Sequence, residues 1–490
     1  MKKILLLIAV FTSLYSCSDD ITGLNQDVKN PSEVPANVLF TNAQKNMVDQ
    51  MVSTSVNVNV FRLFVQQWTE TTYTDESNYD VATRSIPDTH WRTIYRDVLR
   101  DLQESKKLMA EETYSGTAQE IADQNTIREN RIQIIDIMSA YAYYVLVDTF
   151  GDVPYTEALD LTNHPQPKYD DAATIYKDLI SKLTVASHTL DAGLGSFDSA
   201  DLIYGGDTAK WKLFANSLRL RMAINLDDID HTYASTEILA AVNDGVIVSN
   251  TNNAALKYLA AQPNTNPIYV DVIASGRNDF VPTSTIIDKM NGLNDPRSSS
   301  FFTLYEDLDT NTSYYVGGSP GDGNPYANFS HIGDKLIEPT FEGLIMDASE
   351  VEFLLAEAVE RGIAVGGSSE DHYNNAITDS MSYWGVSSGA IGSYLAQSEV
   401  AYATATGNWK QKIGEQAYIA LYNRGFEAWT SFRRLDFPIL TAPADANETE
   451  VPTRYTYPSN EETLNSTNET AAATAIGGNT LTTKLFWDVN

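Results

Sequence analysis

The side chains able to do covalent chemistry are few in this sequence and poorly arranged for it. The six histidines, His90, His164, His188, His231, His331 and His372, include no H-E-x-x-H or H-x-H spacing, so the paired imidazoles of a zinc hydrolase are missing. Gly317-Gly318-Ser319-Pro320-Gly321 fits G-x-S-x-G letter by letter. That motif presents a nucleophile only where a strand turns sharply into a helix, and neither element is expected around Pro320. Asp307-x-Asp309-x-Asn311 opens like a calcium loop, but Thr312 stands where the sharp-turn glycine belongs and Gly318 where the bidentate glutamate belongs. An EF-hand is therefore excluded, and a looser, oxygen-ligated structural calcium is the only metal these loops suggest. Glycoside hydrolysis needs two carboxylates facing across a sugar, and among 65 acidic residues any pair can be nominated by chance. No P-loop lysine and no dinucleotide fingerprint after a strand is present. The expected class is binding, without catalytic residues or a cofactor.

Composition narrows what can be bound. With 33 basic against 65 acidic residues the formal charge is −32, which repels phosphate backbones and argues against nucleic acid. It also disfavours sulfated or uronic-acid polymers relative to neutral glycans or basic peptides. A hydrophobic content of 43% with 20% charged residues is that of a folded chain. The single cysteine, Cys17, closes Leu14-Tyr15-Ser16-Cys17 behind Lys2, Lys3 and the apolar run Ile4 to Phe11. This segment is a signal peptide too short to span a bilayer. It resembles a bacterial lipoprotein signal, with residues 1–16 removed, Cys17 acylated, and each buried methylene adding ~0.8 kcal/mol of membrane affinity. Ser18-Asp19-Asp20 is similar to the acidic signal with which Bacteroidota send lipoproteins to the outer face of the outer membrane. Residues 17–36 would then be the lipidated tether. No later segment reaches the ~18 apolar residues of a membrane span.

The elements that must position a binding site are mostly helical. Apolar residues recur at helical spacing over 37–68, 91–109, 127–150, 170–190, 207–226, 349–362, 371–384 and 409–435. Leu355-Ala356-Glu357-Ala358 before Gly362, then Tyr373 and Ala376, look like pieces of a tetratricopeptide-type hairpin, although the full 34-residue consensus is not met. The expected fold is mainly α: one domain over 37–490, with a tetratricopeptide-like helical repeat core and a loop-rich insertion at about 250–339. In that insertion Gly, Pro, Asn, Ser and Tyr dominate, and no helical period persists beyond Ile286 to Met290. A long loop rich in aromatics is more often functional than idle. The tail from Ala442 to Gly478 is polar and is expected to lie over the surface before Leu485-Phe486-Trp487 docks the end.

Several motifs together resemble the SusD/RagB family of outer-membrane nutrient-binding lipoproteins. They are Tyr141-Ala-Tyr-Tyr-Val-Leu-Val-Asp148-Thr-Phe-Gly151-Asp152-Val-Pro154-Tyr155, Asp201-Leu-Ile-Tyr204-Gly205-Gly206-Asp207 with Trp211 to Arg221, and Asn294-Asp295-Pro296-Arg297. Glu350-Val-Glu-Phe-Leu-Leu-Ala-Glu357-Ala358 and Gly425-Phe426-Glu427-Ala428-Trp429 with Arg433-Arg434 complete the series. Arg219 and Arg221, two apart on a helix, must face different partners. Glu427, Arg433 and Arg434 are expected to form a partly buried ion-pair network. The resemblance implies a surface lipoprotein acting as a lid on a SusC-like TonB-dependent transporter, capturing oligosaccharides without chemistry. Oligopeptide cargo, or a surface glycan hydrolase, are the alternatives. Binding sites in the family lie on loops facing the transporter. The corresponding candidates are Trp68, Tyr73 and Tyr79 after the first helix, and Tyr269, Arg277, Asn278, Tyr314, Tyr315 and Tyr326 in the insertion. Flat rings cover the apolar faces of sugars while phenol, amide and guanidinium groups bond to hydroxyls, and Arg277 could equally clamp a peptide carboxylate.

Overall fold

The computed structural model describes residues 34–489, so the signal peptide, Cys17 and most of the tether lie outside the described residues. The folded unit runs from Ala36 onward. Helix α1, Ala36–Val52, buries Phe40, Ala43, Met47, Val48 and Met51. The pattern expected to continue to residue 68 is broken at Ser53-Thr54-Ser55-Val56-Asn57-Val58-Asn59, a run of β-branched and backbone-competing side chains. The break is closed chemically: Asn59 donates to the carbonyls of Gln50 and Met51, and Arg62 to those of Val52 and Ser53. The carbonyls that a helix end leaves open are thereby satisfied.

After a helical stretch from Ile86 with wide turns over Thr93–Leu99, α2 (Arg100–Glu111) leads to α3, Ala118–Phe150. Thr117 and Glu120 form a capping box at its start, and Gly151, at φ 87°, ends it in a conformation that suits glycine. At 33 residues α3 is about 50 Å long. From Ile134 to Phe150 it is buried on almost every face, which explains why that half is apolar all round. Helices α4 (Ala172–Thr189), α5 (Thr208–Leu226) and α6 (His231–Asp244) follow, each packed on its predecessor. Further along come α7 (Ser284–Gly292), α8 (Ala348–Glu360), α9 (Ser369–Tyr383), α10 (Ser388–Leu395), α11 (Trp409–Ala420), α12 (Gly425–Leu435) and α13 (Ser466–Ala475). Hairpins α3/α4, α5/α6 and α8/α9 stack as the repeat reading expects. The segment expected as one helix over 409–435 is two, because Asn423 adopts φ 69° and Gly425 lies against Arg62, where a Cβ would come within 2.5 Å of its backbone nitrogen.

Buried ion pairs lock the hairpins together. Arg221 on α5 reaches Glu350 on α8, at 2.6 and 2.8 Å, and Glu350 also receives Arg424. Arg219, on the other face of α5, binds Glu237 and Asp244 of α6, as the spacing requires. The expected network of Glu427, Arg433 and Arg434 is a correction: these residues do not pair with one another. Arg434 binds Glu357 of α8, and Glu427 lies 3.8 Å from Arg424. Arg433 stacks 3.5 Å over Trp429 and donates to the carbonyls of Asp148 and Thr453. These three residues of α12 point to neighbours on different elements, so tertiary packing chose the partners.

The tail is a second correction. Arg454, Tyr455 and Tyr457 are buried, with Tyr455 stacked on Phe61 at 5.1 Å and Arg454 donating to the Phe150 carbonyl. The terminus docks as expected: Trp487 is 1% exposed and donates 3.0 Å to Asp148.

Among the described residues there are four two-stranded antiparallel sheets, and two of them, β1–β5 and β4–β8, tie the loop-rich region to the rest of the chain. Strand β1 (Trp68–Glu70) pairs with β5 (Phe280–Pro282), β2 (Val153–Pro154) with β3 (Tyr169–Asp170), β4 (Ala254–Leu256) with β8 (Gly343–Met346), and β6 (Tyr305–Asp307) with β7 (Thr312–Tyr314). Residues 250–339 are therefore woven into the body, and part of their aromatic content, Phe280, Phe301 and Phe302, is core.

Candidate functional site

The β1–β5 pair is the root of the loop cluster. Its register sets Trp68 opposite Pro282 and Glu70 opposite Phe280. Where the strands end, Thr71 continues the pairing, its N–H donating to the Asp279 carbonyl at 2.9 Å and its hydroxyl to the Asn278 carbonyl at 2.6 Å. Asn324 brings in a third loop: its N–H donates to Thr71 and its amide to the carbonyls of Glu70, Ser319 and Asp322. Asn78 closes the set by donating to Gly321 at 2.8 Å. Loops 71–79, 275–279 and 317–326 thus leave the body as one hydrogen-bonded unit.

On this unit Tyr73 is 79% exposed and held at φ 56°. Arg277 and Asn278 are exposed beside it in the bonding pattern, and the Arg277 guanidinium is paired 2.7 Å from Asp279. Tyr326 stacks on His331 at 3.7 Å with an interplanar angle of 10°. The β6–β7 hairpin adds Tyr314, 42% exposed and edge-on to Tyr305 at 5.5 Å, while Tyr315 is half-buried near Phe302. Tyr269 is half-buried at the end of a short helical turn that leads into loop 275–279.

Two of the expected contact residues belong to the core. Trp68 is 2% exposed, donates 2.8 Å to the Tyr422 hydroxyl and lies under the Arg62 guanidinium. Its strand is covered on both faces, so no side of the ring meets solvent. Tyr79 is fully buried, since the turn 74–79 folds back on the body. Its hydroxyl meets Gln66 at 3.2 Å, and burial pushes it up to about 12. Spacing could not separate Tyr79 from Tyr73, because both stand in one polar stretch, and Trp68 sits at its border with the apolar run 60–65.

In the same segment, Glu70 and Glu76 form a pair of buried carboxyls that sequence gave no reason to single out. Glu70 accepts the N–H and hydroxyl of Ser77, both at 2.9 Å, and burial next to Glu76 raises it to about 8. Glu76 binds Arg84 through one oxygen, while its buried Oε2 has no donor except the proton that Glu70 retains. Asn324 was likewise invisible as a site residue, since its partners Glu70 and Thr71 are distant in sequence.

The motifs examined for catalysis have structural roles. A Cβ on Gly317 would lie 2.3 Å from the backbone of Thr283, and one on Gly318 would lie 2.7 Å from Asn324. These glycines permit close approach of two chain segments, and Ser319 is held through its N–H by Asn324. Asp307 caps the turn of its hairpin, accepting the N–H groups of Asp309 and Thr310. What the cluster offers is a set of exposed phenol rings, amides and paired charges, suited to holding a polar, uncharged ligand on a shallow surface.

Comparison with known proteins agrees with the architecture. Residues 28–458 match the family model SusD-like, described as starch-binding associating with outer membrane. A solved chitin-binding protein is 27% identical with TM-score 0.79, the match covering 93% of this chain and 100% of that one. A SusD homolog from Bacteroides uniformis is 24% identical with TM-score 0.78, over 92% of this chain and 99% of the other. A chitin-binding SusD homolog from Flavobacterium johnsoniae is 23% identical with TM-score 0.74, over 92% and 99%. Among curated proteins none matches this sequence.

Proposed function

Because the chain belongs to the SusD-like family, we propose that it is a cell-surface binding protein, anchored in the outer membrane through acylated Cys17. In this reading it captures oligosaccharides and hands them to a SusC-like TonB-dependent transporter. The family's description as starch-binding and the chitin-binding relatives favour a glycan cargo. The observation that carries the reading is the presentation of Tyr73 to solvent on a loop unit tied together by Thr71, Asn78 and Asn324, with Tyr314 exposed on the β6–β7 hairpin. An exposed ring costs hydration unless a ligand covers it, and a sugar face supplies such cover. The paired state of Arg277 with Asp279 leaves no net positive charge there to attract an acidic polymer.

Calorimetric titration with maltooligosaccharides, chitooligosaccharides and mixed oligopeptides tests the cargo. Saturable heat with one glycan class, lost in a Tyr73→Ala, Tyr314→Ala double variant, is the expected result. Heat with peptides alone would replace glycan by peptide. Silence with both classes, for the isolated protein and for the complex copurified from outer membranes, would refute the reading. The hand-over is tested by that same copurification, which should bring down a TonB-dependent barrel.

A further inference from the structure

A cleft of about 520 Å³ lies on a different part of the molecule, between α2, α3 and α4. Its lining includes Tyr143 of α3, Tyr155 and Thr156 of the loop after β2, and Thr174, Asp178 and Lys182 of α4. Three contacts hold that loop in place. Tyr95 donates to the Pro154 carbonyl at 2.5 Å, Asp170 accepts the N–H groups of Tyr155 and Thr156, and Arg100 donates 3.0 Å to the carbonyl of Leu159. Leu159 itself adopts φ 65°, a conformation a leucine takes only when its surroundings impose it. The walls are therefore preformed, within the size range of small-ligand sites.

The floor carries a phenol that the protein itself leaves unpartnered. Tyr143 is 9% exposed, its ring meets Tyr155 edge-on at 4.7 Å, and its hydroxyl has no hydrogen-bond partner among the described residues. Its oxygen is not among the sealed, unpartnered polar atoms of the core, so solvent reaches it. Around it, Tyr155 donates to Asp178, and Lys182 contacts both, at 2.6 Å to the phenol oxygen and 2.9 Å to the carboxylate. Lys182 also lies 4.7 Å from the Tyr155 ring centroid, so the place a ligand cation would take is already filled by the protein's own ammonium. Asp170 and Asp178 outnumber Lys182, which disfavours an acidic ligand. What remains is a ring, an unpartnered phenol, and carboxylate oxygens that accept from hydroxyls.

We propose that this cleft is a second carbohydrate site, taking one or two neutral sugar residues, separate from the loop cluster that carries Tyr73. The Tyr143 hydroxyl bonds a sugar hydroxyl, Asp178 accepts another, and Tyr155 covers the ring. Such a site would let one chain hold a long glycan at two points, or hold two chains, without involving the loops.

The test is titration of the full protein with the glycan found to bind, in wild type and three variants: Tyr73→Ala with Tyr314→Ala, Tyr143→Phe, and Thr174→Trp, which blocks the cleft mouth from an exposed position. Two equivalents are expected for a short oligosaccharide in wild type. The loop double variant should retain one, and Thr174→Trp should lose the other. Tyr143→Phe should weaken the cleft equivalent about tenfold, as expected for the loss of one hydrogen bond to the ligand. A single equivalent in wild type, unchanged by Thr174→Trp and Tyr143→Phe and abolished by the loop variant, would overturn the proposal while leaving the loop site intact. Unchanged binding of maltose, chitobiose and their longer homologues in Thr174→Trp would overturn it equally.

Discussion

Replacing Glu70 by glutamine isolates the proton that the buried carboxyl pair holds. In the unfolded chain a glutamate loses its proton near its ordinary value of 4.5, whereas in the fold Glu70 keeps it to about 8. Between those values the native state binds one more proton than the unfolded state, so stability falls as pH rises, by about 1.4 kcal/mol per pH unit. Below pH 4.5 both states are protonated and nothing is lost; above 8 both are ionised and the loss is complete. At pH 7 the accumulated loss is about 3 kcal/mol, an upper figure because burial of this kind relaxes when the carboxyl ionises. Glutamine mimics the protonated acid, offering an N–H to the orphan oxygen of Glu76 and a carbonyl to Ser77, and has no proton to lose. The assay is thermal unfolding of wild type and Glu70→Gln at pH 5, 6, 7 and 8. Titrating groups that do not touch Glu70 cancel in the difference. The variant should gain on wild type with each step, and for a chain of this length 1 kcal/mol corresponds to roughly 1 °C. Parallel melting curves, or a variant that loses ground as pH rises, would refute the account of a retained proton.

Trp68→Phe and Tyr73→Ala should separate core from surface. The first removes the bond to Tyr422 and should cost about 1 kcal/mol in stability with glycan affinity unchanged. The second should change stability by less than about 0.5 kcal/mol and weaken binding in titration. Trp487→Ala, which empties a fully buried pocket and removes a donor from Asp148, should cost about 3–5 kcal/mol in denaturant unfolding.

The helical character, the stacked hairpins and the terminal docking of Trp487 were legible in the sequence, because an apolar period and a cap are local properties. So was the division of Arg219 and Arg221 between two partners, since two residues along a helix turn a side chain by about 200°. The sequence also determined that the loops would be aromatic and free of any familiar catalytic spacing. Tertiary structure decided which aromatics face water. Trp68, Tyr73 and Tyr79 stand within twelve positions of one another, the last two in a polar stretch and the first at its edge. Only the pairing of β1 with β5 and the fold-back of turn 74–79 bury the first and the last and leave the middle one outside. The partners of Arg433 and Arg434, the burial of Arg454 and Tyr455 in a polar tail, the meeting of Glu70 with Glu76, and the cleft under Tyr155 have the same origin. Each depends on what residues far away in the chain place opposite it, and that information is carried by packing and desolvation, not by the neighbours in sequence.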